Sequence, residues 1–264
     1  MEPTDLWKII EQEAQKMSAK EPLLSSYLHA CVFSHKSFSP ALSFILANKL
    51  EDHVTPLITI KEMFDQAFEE HPEIIINASY DFAAVVERDP AIESYLTVLL
   101  NLKGFLALQT HRVAHLLWTN GRKELARFIQ SKISEVFGVD IHPACQIGKG
   151  IMFDHATGIV IGETAVIEDD VSILQSVTLG GTGNETGDRH PKIRSGVMIG
   201  AGAKILGNIE IGEGAKVGAG SVVLEDVKAH TTVVGVPAVV VGHPCCDKPA
   251  LTMDQTFYAD GDGV

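Results

Sequence analysis

The sequence has 264 residues, of which 45% are hydrophobic and 21% charged, a composition typical of a globular protein with one large or two modest domains. Acidic residues outnumber Lys and Arg by 34 to 21, so the formal net charge is −13 at pH 7. Because such a surface repels phosphate backbones and anionic lipids, nucleic-acid and membrane partners are disfavoured. The chain has neither a basic leader with an apolar stretch nor a membrane-length apolar run, and its four cysteines form no CxxC pair. These features predict a cytoplasmic protein with free thiols.

The composition changes near residue 140, which indicates two different domains. Only three of the 23 glycines come before this point, and aromatic residues are almost absent after it. We therefore predict an α-helical domain over 1–138, a second domain over 139–242 and a flexible C-terminal tail over 243–264.

The first domain has the apolar spacing of amphipathic helices. The segment 94–121 is interpreted as one long helix and 122–138 as another. Ser39-Pro40 and Thr55-Pro56 each place a capping residue before a proline, which predicts the start of a helix. Asp89, before Pro90, either caps a helix in the same way or belongs to a functional site.

Large apolar residues recur every six positions through the second domain. The members of this repeat are Ile141, Ile147, Phe153, Ile161, Ile167, Ile173, Leu179, Ile193, Ile199, Ile205, Ile211, Val217 and Val223. A period of six matches neither a helix nor an alternating strand. It is typical of hexapeptide repeats, in which short parallel strands form the faces of a prism. Aliphatic side chains would stack in the narrow interior, and glycines would allow the tight corners.

Two interruptions of the repeat are where we expect chemistry, because solenoids carry binding features where insertions occur. Two extra residues precede Ile161 and eight precede Ile193. The first interruption, in 153–165, contains aspartate, histidine and glutamate. The second, in 179–193, is rich in Gly, Thr, Asn and Asp, which predicts a loop that leaves the prism near 182–192.

Five segments resemble the serine O-acetyltransferase family of hexapeptide-repeat acyltransferases. They are ERDPA (87–91), VDIHP (139–143), DHATGIVIGETAVI (154–167), SILQSVTLGGTG (172–183) and DRHPKI (188–193). The resemblance covers essentially the whole chain. It implies an α+β fold, in which an N-terminal α-helical domain precedes a left-handed parallel β-helix. It also implies an enzyme that acetylates the hydroxyl of L-serine with acetyl-CoA, the first step of cysteine synthesis from serine.

The resemblance assigns a general base to the first interruption. A serine hydroxyl is a poor nucleophile at neutral pH, and a neutral imidazole is suited to remove its proton. His155 matches the catalytic histidine of the family. Asp140 matches the aspartate that holds the other ring nitrogen and stabilises the imidazolium. Glu163 would have a second orienting role.

Serine binding requires an anion for the ammonium group and a cation for the carboxylate. The resemblance implies that Asp89 and Asp154 bind the ammonium group, and that Arg189 and His190 bind the carboxylate. Because Asp89 comes from the helical domain, that domain of the same or a neighbouring chain would have to pack against the prism. L-cysteine differs from serine only by sulfur in place of oxygen, so the same site should accept it as a feedback inhibitor.

Acetyl-CoA is expected as a co-substrate, with no tightly bound cofactor and no metal. For its binding, the resemblance points to Gly181, Ala201, Gly202 and Ala219. Five of the eight basic residues after residue 140 lie between 189 and 216, which would give this polyanion a local basic patch. A backbone N–H near Gly181 could hold the oxyanion. No cysteine is a convincing acyl carrier, which favours direct transfer.

The C-terminus is expected to bind a second enzyme. In the family, the C-terminal residues enter the active site of O-acetylserine sulfhydrylase, the next enzyme in the pathway. This chain ends in Val264, where the family commonly has isoleucine, and the missing methylene would cost about 0.8 kcal/mol, roughly a fourfold weaker complex. The resemblance and the helical domain also predict a homo-oligomer, a trimer or a dimer of trimers.

Alternative functions remain open at this point. Hexapeptide repeats also occur in homoserine and sugar acetyltransferases, and in a zinc-dependent carbonic anhydrase that needs three converging histidines. His142, His155 and His190 are available for such a site, but it would leave the accompanying aspartates and arginine unexplained. A scaffold that binds a partner through its tail would leave the DHATG and DRHPKI segments without a role.

Overall fold

A computed structural model describes residues 2–183 and 186–256 of the chain. Helices extend to Phe137, and short parallel strands follow from Asp140. The architecture is α+β, a helical region followed by a left-handed parallel β-helix, which confirms the predicted fold class. None of the described helices is long and apolar enough to cross a membrane.

The helical region contains eight α-helices among the described residues. They are α1 Pro3–Lys20, α2 Ser25–Leu28, α3 Phe38–Leu50, α4 Leu57–Glu70, α5 Glu73–Arg88, α6 Tyr95–Asn101, α7 Lys103–Thr119 and α8 Lys123–Phe137. Phe82 lies at the centre of their core, where it contacts Phe38 and Phe105 edge-on and stacks on Tyr95. The space between the helices is therefore wide enough for aromatic rings, whereas the interior of the prism is narrow.

The predicted single helix over 94–121 is wrong, because the chain forms two helices separated at Leu102. Leu102 leaves the helical backbone region, with φ −86° and ψ 101°. The break coincides with a close contact to the prism. A Cβ on Gly104 would lie only 2.1 Å from the carbonyl oxygen of Phe153. The start of α7 thus touches the prism backbone, and the contact requires glycine.

The proline signals give mixed results. Thr55-Pro56 precedes α4 as predicted, whereas Ser39-Pro40 lies inside the first turn of α3. Asp89 begins no helix. It follows the last residue of α5, and its Oδ1 accepts a hydrogen bond of 2.9 Å from the Ala91 N–H. Asp89 therefore stabilises the turn after α5.

Thirteen short parallel strands among the described residues form the faces of a triangular prism. They are β1 Asp140–Ile141, β2 Gln146–Ile147, β3 Met152–Phe153, β4 Val160–Ile161, β5 Val166–Ile167, β6 Ser172–Ile173, β7 Thr178–Gly180, β8 Lys192–Ile193, β9 Met198–Ile199, β10 Lys204–Leu206, β11 Glu210–Ile211, β12 Lys216–Val217 and β13 Val222–Val223. Each strand contains one of the predicted repeat residues, and all of these except Ile147 are buried. The hexapeptide repeat is confirmed.

The strands form three sheets, one for each face. Sheet A contains β1, β4, β7, β10 and β13, sheet B contains β2, β5, β8 and β11, and sheet C contains β3, β6, β9 and β12, extended by β14 Thr232–Gly235 and β15 Ala238–Gly242. Each coil passes from sheet A to B to C, so each pair of sheets shares a corner. Among the described residues, the AB corner comprises residues 142–145, 162–165, 181–183, 186–191 and 207–209, and the CA corner comprises residues 154–159, 174–177, 200–203 and 218–221.

A buried ion pair joins the helices to the prism. Asp81 in α5 and Arg112 in α7 are 2.7 Å apart, and the Asp81 side chain is fully buried. Asp81 also accepts a hydrogen bond from the Ile151 N–H, and Arg112 donates to the carbonyl oxygens of Ile147 and Gly148. Loss of either partner would leave a buried charge unpaired, so this contact fixes the helices against the first coil.

The C-terminal segment, residues 247–256, packs on the outside of sheet C. It contains α9, Pro249–Thr252. Ala250 is buried there against Leu174 and Met198. Val264, the residue predicted to bind the sulfhydrylase, lies outside the described residues.

Candidate active site

A cavity of about 370 Å³ lies where the helices meet the CA corner. The predicted residues Asp89, Asp154 and His155 all line it, together with Lys103 and Phe153. Asp89 comes from the end of α5, whereas Asp154 and His155 follow β3. The structure therefore brings these three predicted residues together within one chain.

Arg88 positions Asp89 by fastening the end of α5 to the prism. Its buried guanidinium donates a hydrogen bond of 3.0 Å to Ser172 Oγ and lies 3.6 Å from Asp170 Oδ1. Ser172 is in β6, which pairs with the strand before Asp154. The contact therefore fixes the last turn of α5 relative to the strand that presents Asp154.

His155 and Ala156 form a strained turn at the CA corner. Their φ angles are 53° and 61°, in the left-handed region that residues with a Cβ rarely adopt. The His155 side chain is 75% exposed, and its Nε2 lies 3.8 Å from Asp154 Oδ1. The imidazole is therefore close to a carboxylate and still open to a substrate.

Asp154 and Asp89 make the cavity attractive to a cation. Burial raises the pKa of the Asp154 carboxyl, and the nearby charge of Asp89 raises it further. Lys103, the cation in the lining, donates a hydrogen bond to Thr157 Oγ1. An ammonium group between the two carboxylates would relieve their repulsion.

Glu163 and Arg189 form an ion pair at the AB corner. Arg189 Nη2 lies 2.7 Å from Glu163 Oε2. The hydrogen bond from Arg189 lowers the pKa of the Glu163 carboxyl, which is therefore ionised at neutral pH. Within the chain Glu163 orients the guanidinium, whereas the sequence interpretation had it orient His155.

His190 is buried at the AB corner with a defined proton position. A Cβ on Gly162 would lie 2.0 Å from His190 Nε2, so the ring occupies space that only glycine leaves free. The backbone N–H of Thr164 donates a hydrogen bond of 3.2 Å to Nδ1, and burial lowers the pKa of the imidazole. His190 is therefore neutral, with its proton on Nε2, where it can donate to a carboxylate.

Asp140 lies between the two corners, at the start of β1 on the outer side of sheet A. Its Oδ1 accepts a hydrogen bond of 2.8 Å from Gln130 Nε2 in α8. Within one chain the structure does not bring Asp140 to His155, whose carboxylate neighbour is Asp154. Over the described ranges, no group of three or more His, Cys, Asp or Glu side chains is placed to hold a metal ion.

Three of the predicted CoA-binding residues continue the CA corner along the prism. They are Ala201, Gly202 and Ala219. The Gly202 N–H donates to the Gln175 carbonyl at 2.9 Å, and the Gly220 N–H donates to the Ala201 carbonyl at 2.8 Å. The second bond joins Ala201 and Gly202 to the coil of Ala219, which forms a column of small residues, and the first joins this column to the Gln175 turn that separates it from His155.

The fourth predicted residue, Gly181, lies at the AB corner, where a Cβ would be 3.3 Å from the Arg189 carbonyl oxygen. The basic residues predicted to form one patch are also divided. Lys204 donates to the Gly202 carbonyl at the CA corner, whereas Arg194 on sheet B forms ion pairs with two glutamates. Lys204 is therefore the better placed cation beside the column of small residues.

Sequence reasoning missed Thr164, which organises the AB corner. Its Oγ1 accepts hydrogen bonds from the backbone N–H groups of Arg189 at 3.0 Å and His190 at 3.1 Å. The repeat contained the signal for this contact. Thr164 stands three positions before Ile167, as His190 stands three before Ile193, and these two strands are paired.

Protein families and curated relatives match the chain over both regions. The family described as "Serine acetyltransferase, N-terminal" matches residues 6–110, and "Bacterial transferase hexapeptide (six repeats)" matches residues 190–225. Serine acetyltransferase of Salmonella typhimurium is 58% identical over 265 aligned residues, which cover 98% of this chain and 97% of that protein. The enzyme of Escherichia coli K12 is 57% identical with the same coverage.

Solved structures give the same result. The serine acetyltransferase of Vibrio cholerae is 59% identical, with a TM-score of 0.94 over 96% of this chain and 98% of that one. A serine acetyltransferase in complex with cysteine is 55% identical, with a TM-score of 0.94 over 96% and 99% of the two chains. A complex with CoA is 55% identical, with a TM-score of 0.87 over 90% and 99%. The chain belongs to the serine acetyltransferase family, and it is an enzyme with that activity.

Proposed function

We propose that the chain acetylates L-serine in a site shared between the CA corner of one subunit and the AB corner of its neighbour. The reaction transfers the acetyl group of acetyl-CoA to the serine hydroxyl and gives O-acetyl-L-serine and CoA. The observation that carries the proposal is the division of complementary groups between the corners. Two carboxylates and an open imidazole lie at one, and a guanidinium and a neutral imidazole lie at the other. Lys103 at the CA corner already donates to Thr157, and Glu163 at the AB corner is already paired with Arg189, so each corner is suited to one end of an amino acid.

Serine would be held by its two charged ends. Asp89 and Asp154 bind the ammonium group, which offsets the repulsion between their carboxylates. Arg189, oriented by Glu163, and the Nε2–H of His190 bind the carboxylate. This leaves the hydroxyl directed at the exposed imidazole.

His155 acts as the general base. It accepts the hydroxyl proton while the serine oxygen attacks the thioester carbonyl, so a C–O bond forms. When the tetrahedral intermediate collapses, the C–S bond breaks and the imidazolium returns the proton to the CoA sulfur. Asp140 of the neighbouring subunit stabilises the imidazolium.

CoA would extend along the column of small residues at the CA corner. Ala201, Gly202 and Ala219 lack side chains that would block a pantetheine arm. Lys204 lies beside them and supplies a positive charge. A backbone N–H near Gly181 of the neighbouring subunit would hold the oxyanion. The complex of a similar enzyme with CoA supports this ligand class.

The shared site implies a trimer or a dimer of trimers. Asp140 and the paired Val160 lie on the outer side of sheet A, between the corners, and Val160 is 41% exposed. A neighbouring prism packed there would cover this apolar residue. It would also bring Asp140 of one chain towards His155 of another.

A subunit-mixing experiment tests the shared site. At serine concentrations well below KM, His155→Ala and Arg189→Ala should each be nearly inactive, because each change removes a group that every site needs. Co-expression of the two chains in equal amounts should restore about one quarter of wild-type activity, since one interface in four combines an intact CA corner with an intact AB corner. The measurement is the activity of purified oligomers of known subunit composition, made of one variant alone or of both variants together.

The control is a double variant that carries both changes on one chain, co-expressed with the wild type. Only interfaces between two wild-type chains should be active in these oligomers, because the double variant contributes neither an intact CA corner nor an intact AB corner. If mixed oligomers form and remain inactive, each site lies within one chain and the shared site is wrong.

We also propose that L-cysteine inhibits by occupying the serine site. Its ammonium and carboxylate groups match the same residues, and a similar enzyme is known in complex with cysteine. L-cysteine should therefore compete with L-serine, and Arg189→Ala should weaken the binding of both amino acids. Non-competitive inhibition that survives Arg189→Ala would indicate a separate regulatory site.

We further propose that the C-terminus binds O-acetylserine sulfhydrylase through its free carboxylate and the Val264 side chain. A peptide of residues 253–264 should bind the sulfhydrylase from the same source, and removal of Val264 should abolish binding. Calorimetry on both peptides measures this. Equal binding would show that the terminal residue is not the contact.

A further inference from the structure

Two of the four cysteines form an accessible pair. Cys31 and Cys145 are only 2% and 0% exposed, whereas Cys245 is exposed and Cys246 is half-buried. All four are free thiols. The proposed acetyl transfer uses none of them. The adjacent pair is thus a vicinal dithiol without a role in the reaction.

Both thiols of the pair bond forward to the C-terminal segment. Cys245 Sγ donates to Asp254 Oδ2 at 3.3 Å, and Cys246 Sγ lies 3.6 Å from Thr252 Oγ1. These contacts span α9 and tie its end to the chain that leaves the prism. We refer to residues 252–256 as the distal segment.

The distal segment lies against the edge of the prism where CoA is expected. Lys216 Nζ donates to the carbonyl oxygen of Thr256. Gln255 lines a small cavity of about 120 Å³ together with Gly218 and Ala219. The thiol pair therefore helps to hold a segment beside the column of small residues.

The residues just before the distal segment are held independently of the thiols. The Ala250 N–H donates to the Gly196 carbonyl at 3.2 Å, and Ser172 Oγ donates to the Ala250 carbonyl at 2.9 Å. Lys248 forms an ion pair of 2.9 Å with Asp170. Loss of the thiol contacts would therefore loosen only the distal segment.

We propose that Cys245 and Cys246 are a reversible oxidation site, in which closure to a disulfide by a small-molecule disulfide loosens the distal segment, whose end stays bonded to Lys216. A disulfide sulfur has no S–H to donate, so the contact of Cys245 with Asp254 is lost, and Cys246 can no longer donate to Thr252. The proposal does not depend on the catalytic assignments, because its readouts are the state of the two sulfurs and the exchange of backbone amides.

The oxidation proceeds in two balanced exchange steps. The Cys246 thiolate attacks one sulfur of the small disulfide, which forms a mixed disulfide and releases one small thiolate. Cys245, whose pKa is raised by its hydrogen bond to the Asp254 carboxylate, then gives up its proton and attacks Cys246 Sγ. The second small thiolate leaves. The pair loses two protons and two electrons, and one small disulfide is reduced to two thiols.

The chemistry of adjacent cysteines makes the step reversible. Consecutive Cα atoms lie about 3.8 Å apart, closer than the roughly 4.4–6.8 Å usual for disulfide-linked residues. The ring is therefore strained, and strained disulfides are readily reduced. The site suits a switch better than a permanent crosslink.

Oxidised glutathione, applied to the full-length enzyme, tests the proposal. Mass spectrometry should find a peptide that lacks two hydrogens at Cys245–Cys246, with Cys31 and Cys145 unmodified. Amide exchange in the distal segment should accelerate by about three- to tenfold, the effect of losing one or two weak hydrogen bonds. Exchange at Ala250 should stay unchanged, and a thiol reductant should reverse both effects.

Cys245→Ser is the matched control, since the serine hydroxyl can keep the bond to Asp254 but cannot form a disulfide. It should give a stable glutathione adduct at Cys246 and a smaller acceleration of exchange in the distal segment than the wild type, because the bond to Asp254 is kept. The proposal is overturned if the wild type carries glutathione on both cysteines without an internal disulfide. It is also overturned if the disulfide forms without faster exchange, or if Cys245→Ser shows the same acceleration.

Discussion

The CA and AB corners belong to the same prism but differ in how their charges are satisfied. At the CA corner, Asp154 has a raised pKa beside Asp89, and His155 is 75% exposed. At the AB corner, Arg189 is already paired with Glu163, and the position of the His190 proton is fixed by Thr164. In the proposed shared site, the AB corner is held in place by contacts within the chain, whereas the carboxylates and the imidazole of the CA corner would find further partners in the ligand.

This difference indicates which substitutions affect turnover and which affect binding. A group that is open in the free chain gains its partners from the substrate, so its removal acts on the chemical step or on the ligand. A group that is already held by other side chains, as Arg189 is held by Glu163, acts through its orientation. Either the group itself or the residue that orients it can be replaced. The following variants test this division, from the largest expected effect to the smallest.

His155→Ala should lower kcat by about 100-fold or more, because it removes the proposed general base. The fold should persist, since the side chain is largely exposed. His230→Ala is the matched control, because His230 is also an exposed histidine with positive φ, 52°, at a prism corner outside the site. Steady-state kinetics with circular dichroism measure both variants. Near-normal turnover in His155→Ala would contradict the mechanism.

Arg189→Ala should raise the KM for serine by about 10- to 100-fold, the usual loss for a charge-assisted hydrogen bond. Arg189→Lys should recover only part of this, because an ammonium group cannot pair with Glu163 and the substrate in the same planar geometry. Arg127→Ala, an exposed arginine paired with Glu124 in α8, is the control. An unchanged KM for serine in Arg189→Ala would exclude it from carboxylate binding.

Glu163→Gln should have a smaller effect than Arg189→Ala, a few-fold increase in KM for serine with kcat nearly unchanged. It removes the charge that orients the guanidinium and leaves the guanidinium itself. Because Arg189 lowers the pKa of the Glu163 carboxyl, the effect should be constant between about pH 6 and pH 8, where the glutamate is ionised. A fall in kcat without a change in KM would assign Glu163 to the chemical step instead.

Asp154→Asn should lower activity but slightly raise stability at neutral pH. The folded-state pKa of Asp154 is raised by burial and by Asp89, so the carboxyl contributes stability when protonated and loses it as pH rises through that pKa. The variant should therefore have a higher Tm than the wild type near pH 7, with the difference shrinking near pH 3. A lower Tm at neutral pH would contradict the cause given for the shift.

The prism could be predicted from the sequence because each strand repeats one inward position. The six-residue recurrence of apolar side chains marks that position, so this one pattern predicts the register of the thirteen parallel strands. The break between α6 and α7 could not be predicted. It coincides with the contact between Gly104 and the Phe153 carbonyl, two positions that are distant in the chain and share no periodic signal.

The candidate site shows the same limit. The sequence interpretation places Asp89, Asp154 and His155 in one site, and the structure brings them together in one cavity. The sequence interpretation did not identify Gln130 as the partner of Asp140 within the chain. A helix and a strand meet at this contact, and they share no common repeat. Contacts between coils were in principle accessible through the register. Contacts between the helices and the prism were not.

The strained turn at His155 has a consequence for how the enzyme can change. Ala156 has a φ of 61°, a conformation that would cost glycine about 1 kcal/mol less. A Cβ on Gly104 would lie 3.1 Å from the Ala156 methyl group, so this methyl occupies the gap under α7 and restricts the backbone next to the imidazole. A library selected only for thermal tolerance could therefore accept glycine at position 156. A library selected for turnover would retain alanine. The two selections would therefore favour different residues at position 156.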